Sequence, residues 1–155
     1  MNEISVRKAT VEDLDVLLAF EQGIVTNERP FDETLKDGEI HYYDLAEMIT
    51  APHIAVVVAE SGNEIIGSGY ARIEVAKAYQ RHSEYAYLGC MYVKPEYRGK
   101  GVNNLVLEGL KEWCHERGIR ELRLEVYTEN LPALKAYEKA GFKPLLTWMR
   151  LGLDE

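Results

Sequence analysis

Cysteine is scarce: Cys90 and Cys114 are the only two in 155 residues. They form neither a disulfide framework nor a metal spacing, and reducing cytoplasm is the default compartment. The four histidines, His41, His53, His82 and His115, show no paired ligand spacing, so no metal is assigned. Long apolar runs are missing too; nowhere do about 18 apolar residues follow one another, as a membrane-spanning helix requires. Residues 1–8 lack the apolar stretch of a signal peptide. Positive charge is in deficit, with 18 Lys and Arg against 26 Asp and Glu, a net charge of −8. That balance argues against nucleic acid and anionic membranes as partners.

What remains is a chain 46% hydrophobic and 28% charged, enough for one globular domain, residues 1–155, with an ordinary core. Residues 4–8 suggest a strand. Thr10 and Asp13 read as a capping box opening a helix with Leu14, Leu17, Leu18 and Phe20 among its apolar positions. Residues 27–39 read as a mobile connection, and a second helix is expected over residues 40–50, ended by Pro52. Residues 54–59 are a continuous apolar run, a buried strand; residues 61–63 turn into a strand over residues 65–73. A polar loop over 76–83 precedes a strand from 84 to 94. Val102, Leu105, Val106, Leu110, Trp113 and Cys114 recur at helical spacing, and Gly118 stops that helix. Strand 120–127, helix 131–140 and a C-terminal strand over 145–153 complete the order β-α-α-β-β-β-α-β-α-β. Local patterning gives an α/β or α+β sheet flanked by helices.

Two stretches carry the chemistry. In the first, Pro95 ends a strand, Gly99 and Gly101 permit a tight turn, and Arg98 and Lys100 flank the first amides of the next helix. Such a turn is either a plain connection or a seat for an anionic phosphate group. Neither common nucleotide loop is present; the spacing G-x-G-x-x-G fails at Asn104. In the second, Asn130 is a fitting N-cap, Pro132 lies in the first turn, Tyr137 is mid-helix and Gly141 precedes Phe142.

Together, in this order and separation, the two stretches resemble the GNAT superfamily of acyl-CoA-dependent N-acyltransferases. The family pattern [RQ]-x-x-G-x-[GA] falls on residues 98–103, departing at its last position, which is Asn103. The resemblance is closest over about residues 86–145 and implies a mixed, mostly antiparallel sheet. Its central strand and the strand of residues 120–127 would splay apart to admit acetyl-CoA, with coenzyme A leaving as product. It further implies that backbone groups of Met91, Tyr92 and Val93 pair with the pantetheine arm and polarise the thioester carbonyl. Arg98, Gly99, Lys100, Gly101, Val102 and Asn103 would hold the pyrophosphate. Asn130 would be a cofactor contact or only a cap. Tyr137 would be the acid that protonates the leaving sulfur, or a packing aromatic.

The base is the open position. On the central strand the one carboxylate is Glu84, either that base or an exposed loop residue; Tyr85 and Tyr87 share a face that could line an acceptor pocket. Cys90 reads as a small buried residue. Charge is uneven: residues 1–60 hold 13 acids and 4 bases, net −9, and Asp32, Glu33, Asp37, Glu39, Asp44 and Glu47 cluster around one loop. Such a wall would favour a cationic amine, whereas Lys77 and Arg81 in the other loop would favour an acceptor with a carboxylate. The resemblance thus implies an N-acetyltransferase of a small-molecule or peptide amine, acting by direct attack in a ternary complex, with a homodimer left open. A CoA-binding regulatory domain and an interaction module without cofactor are the alternatives.

The turn supplies the first test. Acetyl-CoA should raise the melting temperature, because a ligand that binds only the native state stabilises it. Gly101→Val should abolish that gain and Asn103→Gly should keep or enlarge it. Wild-type binding by Gly101→Val, measured by thermal shift, would contradict this placement of the cofactor.

Overall fold

The computed structural model describes residues 3–154 and divides into two compact units, one ending at Glu125 and one beginning at Val126. The first unit is a five-stranded sheet in the order β1-β2-β3-β4-β5: β1 Ile4–Lys8, β2 Ile54–Ser61, β3 Glu64–Val75, β4 Glu84–Val93 and β5 Leu122–Arg123. All neighbours are antiparallel except β4 and β5. The β2 run is buried almost throughout, as its unbroken apolar sequence requires. Gly62, at φ 62°, turns it into β3.

Helices cover both faces. On β3, Tyr70 belongs to a core with Leu17, Phe20 and Ile24 of α1 (Leu14–Glu28) and Leu45 and Met48 of α2 (Leu45–Thr50). A Cβ on the preceding residue, Gly69, would meet Val106 and Leu110 of α3 (Val102–Glu116). Since successive strand residues point to opposite faces, α1 and α2 pack on one face and α3 on the other. The buried stripe of α3 is Val102, Val106, Leu107, Leu110, Trp113 and Cys114; Leu105, expected on that stripe, lies at its margin and is exposed. The helix stops at Gly118, at φ 72°, whose N–H donates to the His115 carbonyl.

The capping box forms as expected, but around a short 3-10 turn that leads into α1. Asp13 accepts from the Thr10 N–H and holds Arg7 of β1 through both carboxylate oxygens, at 2.8 and 3.0 Å, which locks the entry to the helix onto the sheet. Arg29 closes the following loop by donating to the carbonyls of Lys36 and Gly38.

Three expected elements are corrected. The second helix begins at Leu45, not near 40, because fully buried Glu21 takes the N–H groups of Tyr42 and Tyr43 at 2.8 and 2.9 Å. That ties residues 42 and 43 to α1, and Asp44 caps the helix by accepting from the Glu47 N–H. The strand expected over 120–127 shrinks to Leu122–Arg123, since β4 pairs with it only at Ala86 and Tyr87. In the second unit α4 spans Leu131–Lys139, but residues 145–153 form no strand. Alternating apolar residues give strand propensity, and a strand exists only where a partner completes its ladder.

Glu21 also sets a pH dependence. His41 meets it through Nδ1 at 2.9 Å and Glu39 through Nε2 at 3.0 Å. The hydrogen bond to Glu21, ahead of the smaller effects of both carboxylates' charge, raises the imidazole above its ordinary value. A raised folded-state value means the stabilisation is fully present below about pH 6.5 and fades as pH rises through the folded-state value. The melting temperature of wild type minus that of His41→Gln should therefore be largest in mild acid and shrink at alkaline pH. A difference that does not change with pH would contradict this ion pair.

Candidate active site

The central feature is an irregularity in β4. Its register with β3 runs Tyr70 to Gly89 and then Ser68 to Tyr92, so Cys90 and Met91 together oppose Gly69. This is a β-bulge. Cys90 sits at φ 51°, the one non-glycine with positive φ among the described residues, a conformation that costs about 1–3 kcal/mol and needs support from its surroundings. Its N–H donates to the Tyr43 hydroxyl at 3.3 Å, and its carbonyl accepts from the Ser68 hydroxyl at 2.8 Å.

The bulge resets which face each β4 side chain occupies. Gly89 lies against the Tyr70 ring, where a Cβ would come within 2.5 Å of ring atoms. Cys90 then joins the same core as Tyr70, and Tyr92 stacks on Phe20 at 4.9 Å. Met91 takes the opposite face, with its sulfur 2.7 Å from where a Gly69 Cβ would lie. Burial pushes the Cys90 thiol up to about 12, so it stays protonated and inert, as its reading as a buried residue requires.

Beyond Tyr87 and Arg123 the pairing of β4 with β5 ends, and from Leu88 to Val93 that edge of β4 has no strand partner among the described residues. The strand leads into a turn built for an anion. After the 3-10 turn Pro95–Tyr97, Gly99 and Gly101 adopt φ 77° and 81°, and no atom lies within 4 Å of where a Cβ on either would be. Gly101 is the N-cap of α3 and offers no side-chain acceptor, which leaves the first helical amides without a cap. Arg98 is anchored by donating to the Val93 carbonyl at 3.0 Å and lies over the Tyr92 ring; Lys100 lies over Tyr97. Val102 is buried beneath the turn, whereas Asn103 is half-buried. An open glycine cradle, two cations and uncapped amides fit a pyrophosphate.

On the face of the sheet that carries α1 and α2, tyrosines form a continuous line. Tyr42 meets Tyr43, Tyr43 meets Tyr70 edge-on at 5.3 Å, and Tyr70 meets Tyr87 at 6.5 Å. Arg72 lies over both Tyr70 and Tyr87 and pairs with Glu74. Tyr87 ends this line by donating its hydroxyl to Glu125 at 2.8 Å. Burial first, and then Glu125, holds that phenol above its ordinary value, so it remains the donor. The loop of residues 76–83 is fixed at the same end of the sheet, because Arg123 lies over Tyr85 and reaches Gln80 and His82.

In the second unit Asn130 caps α4 through the Ala133 N–H at 3.4 Å, and Gly141, at φ 106°, closes the helix. Tyr137 packs edge-on against Phe142 at 5.8 Å, and the Phe142 N–H donates to the Tyr137 carbonyl.

The structure therefore joins Met91, Tyr92, Val93 and residues 98–103 into one continuous surface. It does not bring Glu84 to them. Glu84 is the exposed first residue of β4, opposite Val75, and six residues of strand lie between it and Met91, about 20 Å. Two residues escaped the sequence reading. Glu125 falls in the expected strand 120–127, where nothing marks it, and Tyr43 in the part of the expected helix 40–50 that precedes the observed α2. In the acidic loop Asp44 caps α2, Glu39 meets His41 and Asp32 closes a turn onto Thr34, so these three carboxylates have structural partners.

Residues 21–142 match the sequence model of the "Acetyltransferase (GNAT) family". A Bacillus subtilis (strain 168) protein, provisionally named as a [ribosomal protein bS18]-alanine N-acetyltransferase, is 29% identical over 140 residues, covering 90% of this chain and 81% of that one. Thialysine N-epsilon-acetyltransferase of Bos taurus is 30% identical over 110 residues, covering 70% and 60%. Among solved structures, an acetyltransferase from Clostridium acetobutylicum with acetyl-CoA matches at a TM-score of 0.70 and 21% identity, covering 97% of this chain and 96% of that one. No helix among the described residues is long and apolar enough to cross a membrane.

Proposed function

This chain belongs to the GNAT acetyltransferase family and is an acyl-CoA-dependent N-acetyltransferase, and on that premise we propose that acetyl-CoA lies along β4 with its pyrophosphate on residues 98–103. The observation that carries this reading is the continuity of the partnerless β4 edge with the open glycine turn and the uncapped start of α3. The bound thioester supplies an acyl carbon already activated for transfer.

The acceptor is a primary amine of a small molecule or peptide. The named acceptors of the relatives, an alanine of a ribosomal protein and thialysine, support an amine in general. Glu125, an exposed carboxylate oriented by Tyr87, takes the proton of the incoming ammonium. The freed amine attacks the acyl carbon directly, without an acyl-enzyme, so a new C–N bond replaces the C–S bond. Backbone groups of Met91 to Val93 pair with the pantetheine arm, and an N–H on the edge away from β3 receives the charge that builds on the carbonyl oxygen. Tyr137, by its match to the family pattern, gives its phenolic proton to the departing sulfur. Glu84 is the competing base, with the position on β4 against it.

Steady-state kinetics test these roles. Tyr137→Phe keeps the ring and should lower kcat about 10²-fold with KM for acetyl-CoA nearly unchanged. Glu125→Gln should lower kcat on a similar scale. If Tyr137→Phe stays within about twofold of wild type, its role is structural. A larger loss for Glu84→Gln than for Glu125→Gln would return the base to the start of β4.

A further inference from the structure

We propose that Tyr43 and Ser68 are positioning residues for acetyl transfer: together they clamp the Cys90 peptide and so fix the direction of the Met91 N–H. The proposal rests on the reading that acetyl-CoA lies along β4.

A bulge residue leaves its peptide groups outside the regular ladder, and at Cys90 both are taken by side chains. The N–H donates to Tyr43 and the carbonyl accepts from Ser68, which is fully buried. Because a peptide is planar and trans, the Cys90 carbonyl and the Met91 N–H point in opposite directions. Drawing that carbonyl onto Ser68 therefore turns the Met91 N–H away from Ser68. Without the Ser68 hydroxyl a buried carbonyl would lose this donor, and the peptide could rotate to find another.

Tyr43 is held at three points. Its N–H, with that of Tyr42, is bound by the buried carboxylate of Glu21; its ring packs edge-on against Tyr70; and its hydroxyl receives the Cys90 N–H. Burial keeps that hydroxyl protonated. Glu21 thus connects α1 to the geometry of β4 through Tyr43. None of these three side chains belongs to the turn that would hold the pyrophosphate, so they act on the acyl end alone.

The test compares Tyr43→Phe, Ser68→Ala and the double variant with wild type, in kcat, in KM for acetyl-CoA and in melting temperature with and without acetyl-CoA. Each single change should lower kcat about tenfold or more while KM for acetyl-CoA and the acetyl-CoA-induced thermal shift stay close to wild type. Because both side chains hold one peptide, the double variant should lose much less than the product of the two single losses. Ser68→Thr, which keeps the hydroxyl, should recover turnover relative to Ser68→Ala. Variants with a lower melting temperature but wild-type kcat would overturn the clamp and leave the acetyl-CoA reading standing. A wild type whose melting temperature acetyl-CoA does not raise would remove the reading itself and the clamp with it.

Discussion

The Cys90 peptide is the constraint on which the rest of the first unit turns. A regular β4 would place Cys90 on the face opposite Tyr87 and Gly89. The extra residue instead keeps Tyr87, Gly89 and Cys90 on one face, beside Tyr70 and α1, and sends Met91 to the α3 side. Left-handed backbone at a cysteine is unfavourable by itself, and it persists here because Tyr43 and Ser68 satisfy both peptide groups. Strain of this kind marks places where geometry matters more than stability. In this chain it falls on β4, the strand along which acetyl-CoA is proposed to lie.

Two buried or anchored charges hold the surroundings of that strand. Glu21, with no exposure, organises residues 41–43 and thereby brings Tyr43 to the bulge. Arg98 is tied to the Val93 carbonyl, so the first cation of the turn is fixed to the end of β4. The arrangement separates two tasks along one strand. The basic, glycine-lined end suits an anion, while the Tyr87–Glu125 end presents a carboxylate beside aromatic faces, which suits an ammonium group. In the acidic half, Asp13, Glu21, Glu39, Asp44 and Glu60 serve caps and ion pairs, whereas Glu125 is oriented by Tyr87 beside aromatic faces.

Much of this was legible in the sequence, and the rest was not for identifiable reasons. The sheet with helices on both faces, the hairpin at Gly62, the cap at Asn130 and the stops at Gly118 and Gly141 all follow from local chemistry that the sequence displays directly. The turn at residues 98–103 was legible because glycine and charge occur there at a spacing with a physical use. The bulge was not, since Gly89-Cys90 looks like ordinary strand, and only the β3 register shows that two residues oppose one. The start of α2 was misplaced because its cap is Asp44, while Glu21, 21 and 22 positions earlier, holds the Tyr42 and Tyr43 amides ahead of the helix. Glu125 was hidden for a similar reason: its significance comes from Tyr87, 38 positions away. The strand expected at residues 145–153 shows the converse, strong propensity without a ladder.

Hydrogen exchange of backbone amides, with and without acetyl-CoA, tests the central claim most directly. If acetyl-CoA lies along β4 and seats its pyrophosphate on the turn, protection should rise at Met91–Val93 and at Gly99–Asn103, with little change at Glu84. Saturating acetyl-CoA that leaves both segments exchanging as in the free protein, or that protects a different surface, would contradict it.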